Sequence, residues 1–130
     1  MRPCSVELLL SIAAGGAIGS AARYTLASLI GAWTGPAFPW GTLAVNILGS
    51  FVMGVLVEAM ALKFSAPETL RAFLTVGLLG GFTTFSAFSL EAALMISRND
   101  FAAAAGYIGG SVVLCIAGLF AGLSLVRALA

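Results

Sequence analysis

Four long apolar segments, joined by short polar connections, limit this chain to very few folds. They cover about residues 6–30, 40–62, 70–96 and 101–126. Each is long enough to cross the hydrocarbon layer of a bilayer as an α-helix, which takes roughly 20 residues. Charged residues make up 8% of the chain and stand mostly at the edges of these segments. We therefore expect an all-α, multi-pass protein of the cell (inner) membrane, with a single four-helix transmembrane domain over residues 1–130.

The residue patterns that usually carry enzyme chemistry are missing from this sequence. It has no histidine, no pair of carboxylates at the centre of a segment, no cysteine cluster and no phosphate-binding glycine loop. Cys4 lies near the N-terminus and Cys115 well inside the last apolar segment, a geometry that disfavours a disulfide, so we expect both to be free thiols. A net charge of +1 offers no basic patch for nucleic acid. The sequence therefore argues against an enzyme and against a nucleic-acid partner.

The third segment contains a run that an ordinary membrane helix does not need. Residues 80–86 read Gly-Gly-Phe-Thr-Thr-Phe-Ser, two adjacent glycines followed by hydroxyl side chains. This run predicts a break in the helix. Within hydrocarbon, the backbone groups that a break leaves free are tolerated only where protein or a water-filled cavity surrounds them. The break is therefore the leading candidate for a functional site.

Local signals predict where three of the helices begin. Two prolines and two glycines within residues 31–39 indicate a loop, so the second helix should begin near Trp40. Ser65 and Glu68 resemble a capping box for the third helix, with Pro67 acceptable in its first turn. Asn99 or Asp100 is expected to cap the fourth helix.

The positive charges give only a weak orientation signal. Four spans place both termini on the side of the connection between helices 2 and 3, and that side carries Arg2, Lys63, Arg71 and Arg127. The opposite side carries Arg98, and also Arg23 if that residue flanks its helix, so the bias is four to one or four to two. Insertion with both ends in the cytoplasm and insertion in both orientations both remain open.

Glycines four residues apart recur along three of the helices. Such small residues let helices approach closely in lipid, so we interpret most of these pairs as packing sites. Close packing in so small a protein also favours a homo-oligomer. The pairs are Gly15 and Gly19, Gly77 and Gly81, Gly106 and Gly110, and Gly118 and Gly122.

Uncharged polar residues form stripes along the helices. On helix 2, Asn46 shares a face with Thr42 and Ser50 and lies roughly 9 Å below Trp40, at about 1.5 Å per residue. Its amide must find a partner at that depth, either in another helix or in a ligand. Helix 4 carries a second stripe and helix 3 a third, which continues past the break. The members of these two stripes are Tyr107, Ser111, Cys115, Phe85, Ser86, Phe88, Ser89 and Glu91.

Two residue types within the segments allow both a structural and a functional interpretation. Phe85 and Phe88 are ordinarily core residues, but beside hydroxyls their positive ring edges can face an anion. Arg23 is costly in lipid, so it should face the protein interior or extend to the surface. It either raises the anion concentration at a pore mouth or ties a loop to a helix, and we prefer the structural role.

Three segments together resemble the Fluc/CrcB family of small fluoride channels. They are residues 15–24, Gly-Gly-Ala-Ile-Gly-Ser-Ala-Ala-Arg-Tyr, residues 41–51, Gly-Thr-Leu-Ala-Val-Asn-Ile-Leu-Gly-Ser-Phe, and the break through Phe88. The resemblance covers all four spans in order. It implies a passive, fluoride-selective channel that exports fluoride and so lowers its cytoplasmic concentration. It also implies an antiparallel (dual-topology) homodimer, with two pores at the interface and a structural sodium ion on the dyad.

The resemblance also assigns roles to individual residues. The sodium ligands it implies are the backbone carbonyls of Gly80 and Thr83. The pore and fluoride-binding residues it implies are Asn46, Phe85, Phe88, Ser86, Tyr107 and Ser111, and a further polar track or vestibule would include Ser89, Glu91 and Arg23. Ala87 and Cys115 stand where hydroxyl residues are common in the family, which weakens an unbroken hydroxyl track.

Two other functions remain open from the residues alone. A small four-helix exporter of cationic drugs, coupled to protons, would need a carboxylate at mid-membrane depth. Glu58 and Glu91 lie toward the span ends, and Glu7 is near the N-terminus. A non-transporting scaffold subunit is the third possibility, and it predicts no ion flux.

Overall fold

The computed structural model describes residues 4–130, and these residues form helices joined by short connections. In chain order the elements are α1 (Val6–Thr34), α2 (Trp40–Leu62), α3 (Glu68–Ala72), a π-helix (Phe73–Leu79), α4 (Gly80–Phe82), α5 (Phe85–Ser97) and α6 (Phe101–Leu129). The elements from α3 to α5 follow one another as a third span over Glu68–Ser97. The structure therefore confirms an all-α membrane protein with four spans and an interruption in the third.

Helix boundaries differ from the predicted ones at the end of α1, at the start of the third span and at the end of α6, which continues to Leu129. Helix α1 continues to Thr34, four residues past the predicted end, and stops at Gly35, whose φ of 80° suits glycine. The third span begins at Glu68, but its N-cap is Pro67 and no side chain caps it. The predicted capping box at Ser65 and Glu68 is therefore wrong, because Ser65 lies two residues before the N-cap position.

The N-termini of α1 and α6 differ in whether a side chain caps them. Ser5 caps α1, and its hydroxyl accepts the amide hydrogen of Leu8 at 3.1 Å. Asp100 occupies the N-cap of α6 as expected, but its side chain makes no capping bond. Asn99 adopts a φ of 59° in the tight turn before it, a conformation that asparagine tolerates better than most residues.

Glycines bring α1 against the third span at backbone contact. A Cβ on Gly15 would lie 2.5 Å from the Phe73 carbonyl oxygen, and one on Gly19 would lie 2.0 Å from that of Leu78. Gly77 faces Gly15 from the other side, and Gly81 lies close to Gly16. The packing role predicted for these glycines is confirmed, since no larger residue fits at this distance.

A second close contact joins α2 to α6. A Cβ on Gly122 would lie 2.2 Å from the Phe51 oxygen, and one on Gly54 would lie 2.2 Å from the Leu119 oxygen. Gly106 and Gly110 differ, because a Cβ at either would meet no atom of the described chain within 4 Å. Within residues 4–130 this pair packs against no other helix, so the packing role predicted for it stays a prediction.

The C-terminal ends of α2 and α6 lie together, as expected for Lys63 and Arg127, which the sequence predicted on the same side of the membrane. Arg127 Nε lies 2.6 Å from Glu58 Oε1, and Lys63 Nζ donates to the Leu129 carbonyl at 3.2 Å. Arg2, which also belongs to the predicted set of charges on that side, lies outside the described residues.

The core is small, with Phe88, Met95 and Tyr107 among the side chains buried where α2, α5 and α6 meet. Much of the remaining apolar surface is exposed and suited to lipid.

Candidate functional site

The break in the third span lies later than the glycines. Gly80 and Gly81 remain helical, whereas Thr83 (φ −90°, ψ 158°) and Thr84 (φ −150°, ψ 121°) are extended. The break predicted for residues 80–86 is therefore confirmed, although the two glycines of that run do not interrupt the helix. Gly81 serves packing, because a Cβ there would lie 2.7 Å from the Gly16 oxygen of α1. The interruption is confined to the two threonines.

Asn46 satisfies the backbone that the break exposes. Its Oδ1 accepts the Thr84 amide hydrogen at 2.8 Å, and its Nδ2 donates to the Thr84 carbonyl at 3.0 Å. The Thr84 hydroxyl accepts the Ala87 amide hydrogen at 3.1 Å and so caps α5. The prediction that the Asn46 amide needs a partner is confirmed, and the partner is the broken helix. One amide hydrogen of Asn46 is left over from this pair of bonds.

These bonds occupy two backbone amides that would donate to the Gly80 and Thr83 carbonyls if the helix were continuous. In a continuous helix the Gly80 oxygen would accept from Thr84 and the Thr83 oxygen from Ala87. Both amides are engaged elsewhere, with Asn46 and with the Thr84 hydroxyl. The Gly80 and Thr83 carbonyls are the two for which the resemblance implies a role as sodium ligands. Carbonyl oxygens that lack their helical partners are suitable ligands for a hard cation, so this donor set fits sodium.

The π-helix that leads into the break has no counterpart in the sequence analysis. Its wide turns over Phe73–Leu79 end where the Gly80 amide reaches back to Thr75. This segment presents its carbonyls to the glycines of α1. No residue signal that we used marks a π-helix, although glycines on both helices indicated their close approach. Such turns occur frequently at functional sites.

A groove of about 340 Å³ opens between α2, the break and α6. None of its lining residues, all within the described chain, is charged. Phe88 is buried and Phe85 is 78% exposed, with ring centroids 5.4 Å apart. The groove brings together four of the predicted pore residues, namely Asn46, Phe85, Phe88 and Ser111. Ser50, Thr83, Thr84, Val112, Cys115 and Ile116 complete its lining.

Ser111 contributes an unpartnered hydroxyl to this groove. The residue is 6% exposed, and its Oγ has no hydrogen-bond partner among residues 4–130. A buried hydroxyl without a partner costs about 1–3 kcal/mol, so such groups are normally satisfied by water or a ligand. The groove is therefore polar at this point, although its walls are largely apolar.

A second polar cluster lies beside the groove, at Glu91. Thr42 Oγ1 donates to Glu91 Oε1 at 2.8 Å, and the Tyr107 hydroxyl donates to Oε2 at 2.5 Å. Tyr107 is 1% exposed and packs on Phe88 with ring centroids 5.1 Å apart. Tyr107 and Glu91 were both predicted as site residues, whereas Thr42 was not. The sequence signal for Thr42 was its place on the same helix face as Asn46.

Arg23 makes a structural contact with the third span. Its Nε donates to the Gly81 carbonyl at 3.0 Å, so it ties α1 to the third span just before the break. It also lines a cavity of about 520 Å³ together with Thr42, Glu91 and Arg98. The sequence indicated a role for Arg98 only as one of the charges that orient the protein in the membrane. The structure therefore adds Arg98 and Thr42 to the polar lining of the cavity that Arg23 and Glu91 share.

Ser86, predicted as a pore residue, and Ser89, predicted for the polar track, both lie outside the groove lining. Ser89 donates to the Phe85 carbonyl of its own helix at 2.8 Å, and Ser86 Oγ lies 3.3 Å from the Thr84 hydroxyl. Both residues are exposed. Within this chain, neither of them reaches Asn46 or Ser111.

These features together define a class of protein. A four-span membrane protein with a broken third helix, and with an uncharged polar groove at the break, has the architecture of a membrane passage for a small solute or ion.

The chain belongs to the CrcB-like family. The family described as "CrcB-like protein, Camphor Resistance (CrcB)" matches residues 10–123. A protein of Rhodospirillum centenum named "Fluoride-specific ion channel FluC" is 50% identical over 122 residues, covering 94% of this chain and 97% of its own length. A protein of the same name from Phenylobacterium zucineum is 53% identical over 123 residues, with 94% and 97% covered. One from Nitrobacter winogradskyi is 49% identical over 119 residues, with 92% and 94% covered. The resemblance seen in the sequence is confirmed, as is the prediction that the chain is not an enzyme.

Proposed function

We propose that this chain forms a fluoride-selective channel that exports fluoride passively and lowers its concentration in the cytoplasm. The observation that carries the proposal is the uncharged groove at the break, where the buried Ser111 hydroxyl has no protein partner in the described chain. The relatives named as fluoride-specific channels support the same substrate.

The donors at this groove suit a small, strongly hydrated anion. A pore must replace the water around the ion with hydrogen-bond donors, yet hold the ion weakly enough to release it. The Ser111 hydroxyl and the unused amide hydrogen of Asn46 are such donors, and the ring edges of Phe85 and Phe88 add partial positive charge. None of them carries a full positive charge, so the anion would not be trapped.

The working unit in this proposal is an antiparallel homodimer with a pore along each side of its interface. Phe85 is 78% exposed at the edge of the groove, and a second copy would cover this ring and close the groove into a passage. The weak charge bias between the two sides agrees with insertion in both orientations. Open space at Gly106 and Gly110 leaves α6 room for close contact with a partner helix.

The Gly80 and Thr83 carbonyls of each subunit would hold a structural sodium ion on the dyad. When bound, the ion would supply positive charge between the two pores and satisfy oxygens that the break has freed. The residues of this chain do the rest of the positioning. Asn46 holds the Thr84 peptide, and Arg23 holds the Gly81 carbonyl, so the neighbouring carbonyls keep a fixed direction.

A fluoride-electrode efflux assay tests this function. Liposomes containing the purified protein and loaded with fluoride should release it when a potassium ionophore removes the opposing membrane potential. Chloride-loaded liposomes should show no release. Equal release of both anions would overturn the selectivity, and no release of either would overturn the channel itself.

The rival exporter of cationic drugs depends on a carboxylate that can exchange protons with substrate. Glu91 lies in the larger cavity, which favours this rival, but both of its carboxylate oxygens accept hydroxyl hydrogen bonds from Thr42 and Tyr107. Cells that carry the chain should gain tolerance to fluoride and none to lipophilic cations. The reverse result would favour the exporter.

A further inference from the structure

Cys115 occupies an unusual place for a free thiol. It stands fourteen residues from each end of α6, so it lies about 21 Å from either end of that helix, near the middle of the bilayer. It is only partly buried, and it lines the groove that also contains Asn46, Phe85 and Phe88. A thiol at this depth would ordinarily be accessible only from lipid or not at all.

Ser111 gives the groove beside this thiol a buried polar group without a partner in the described chain. Ser111 and Cys115 are four residues apart on α6 and share the face that lines the groove. The Ser111 hydroxyl is buried and has no partner in the described chain, and such groups are normally satisfied by water or a ligand. A water or anion bound at Ser111 would lie one helical turn from Cys115. The thiol therefore lines the same groove as this hydroxyl, and not only the lipid-facing surface.

We propose that Cys115 is a modification site within the anion path, and that a small thiol-specific electrophile reaching it through the groove blocks conduction. The site would take a compact, uncharged reagent such as methyl methanethiosulfonate. In that reaction the Cys115 sulfur, after giving its proton to the buffer, attacks the sulfenyl sulfur of the reagent. A Cys–S–S–CH₃ bond forms, the reagent's S–S bond breaks, and methanesulfinate leaves with the electron pair. The block, but not the access, rests on the proposed channel function.

The second cysteine of the chain provides a matched control. Cys4 is exposed near the N-terminus and lies far along the sequence from the groove. In the Cys4→Ser variant, methyl methanethiosulfonate should add one methylthio group by intact mass, and fluoride efflux should fall about tenfold or more because the adduct fills a narrow path. In the Cys115→Ser variant, Cys4 should be modified while efflux stays at that variant's own untreated rate. Dithiothreitol should remove the adduct and restore efflux in Cys4→Ser.

A third variant separates access through the groove from access through lipid, and it needs no flux measurement. Ser111→Val removes the hydroxyl that keeps the groove polar and places a methyl group beside Cys115. The labelling of Cys115 should then slow several-fold while that of Cys4 is unchanged, which also shows that the reagent is active. An unchanged Cys115 rate would overturn access through the groove.

The remaining outcomes are also decisive. A Cys115 that stays unmodified while Cys4 reacts would overturn the site, and a modified Cys115 with undiminished efflux would overturn the block. If the untreated chain released no fluoride, the channel function and the block would both fail, whereas the labelling rates would still decide whether the groove admits the reagent.

Discussion

Asn46 on α2 holds both backbone groups of Thr84 in the broken third span, with its Oδ1 and its Nδ2 each forming one bond. A single amide side chain thus replaces the two helical bonds that this peptide would otherwise make. It also leaves one amide hydrogen for the groove. Through Asn46, the stability of the break and the supply of donors to the anion path depend on the same residue.

Replacing Asn46 by leucine should therefore impair both properties. Two hydrogen bonds would be lost, and the Thr84 amide and carbonyl would be left without partners at a cost of about 1–3 kcal/mol each. We expect a lower thermal unfolding temperature and strongly reduced fluoride efflux. Ser50→Ala, one helical turn further on the same face, is the control for stability and should leave the unfolding temperature nearly unchanged. An Asn46→Leu protein that kept the wild-type unfolding temperature would contradict this role.

The contact between α1 and the third span should tolerate no side chain at Gly19. An alanine Cβ there would lie 2.0 Å from the Leu78 oxygen, which belongs to backbone and cannot rotate away. Overpacking of this kind costs about 1–3 kcal/mol. Gly19→Ala should therefore lower the unfolding temperature, measured by the loss of monodisperse protein on heating.

Gly31→Ala is the matched control for that measurement. Gly31 also lies in α1, and a Cβ there would meet no atom within 4 Å. Its unfolding temperature should equal or slightly exceed that of the wild type, because alanine favours the helix. If both variants lost the same stability, close backbone contact would not be the cause.

The Glu91 cluster predicts an effect for Tyr107→Phe. This change removes the hydroxyl that donates to Glu91 Oε2 while keeping the ring that packs on Phe88. A typical hydrogen bond contributes about 0.5–1.5 kcal/mol to stability, so stability should fall and efflux should decrease. Thr34→Val is the control, since that hydroxyl bonds only the Ile30 carbonyl of its own helix. Unchanged stability and efflux in Tyr107→Phe would remove this cluster from the site.

The sequence predicted the spans and four of the ten residues that line the groove, because hydropathy and polar spacing are local properties of a helix. It predicted the break within residues 80–86 but not which of these residues form it, since a glycine can signal either interruption or close packing, and only the contact with α1 shows that Gly81 serves packing. The capping box at Ser65 failed because the position of Pro67 decides where the helix begins. Packing between spans determines the π-helix, the Thr42 contact and the pairing of Asn46 with Thr84. The residue pattern of a single helix does not contain this information.

The two phenylalanines of the groove should separate stability from conduction. Phe88 is 8% exposed and packs on Tyr107, whereas Phe85 is 78% exposed. Isoleucine at Phe88 should lower both the unfolding temperature and efflux. Isoleucine at Phe85 should lower efflux while the stability of the subunit changes by less than about 0.5 kcal/mol. Undiminished efflux in either variant would remove that ring from the anion path.

The sodium proposal predicts that this cation stabilises the protein. Ligand binding to the folded state alone adds about 2.7 kcal/mol at a concentration one hundred times its Kd. Protein dialysed against N-methyl-D-glucamine should therefore unfold at a lower temperature, and sodium should restore the original value in a saturable way. N-methyl-D-glucamine at equal ionic strength controls for charge screening, because this bulky cation cannot reach the Gly80 and Thr83 carbonyls. Equal unfolding temperatures in the two cations at every concentration would argue against a structural sodium site at the break.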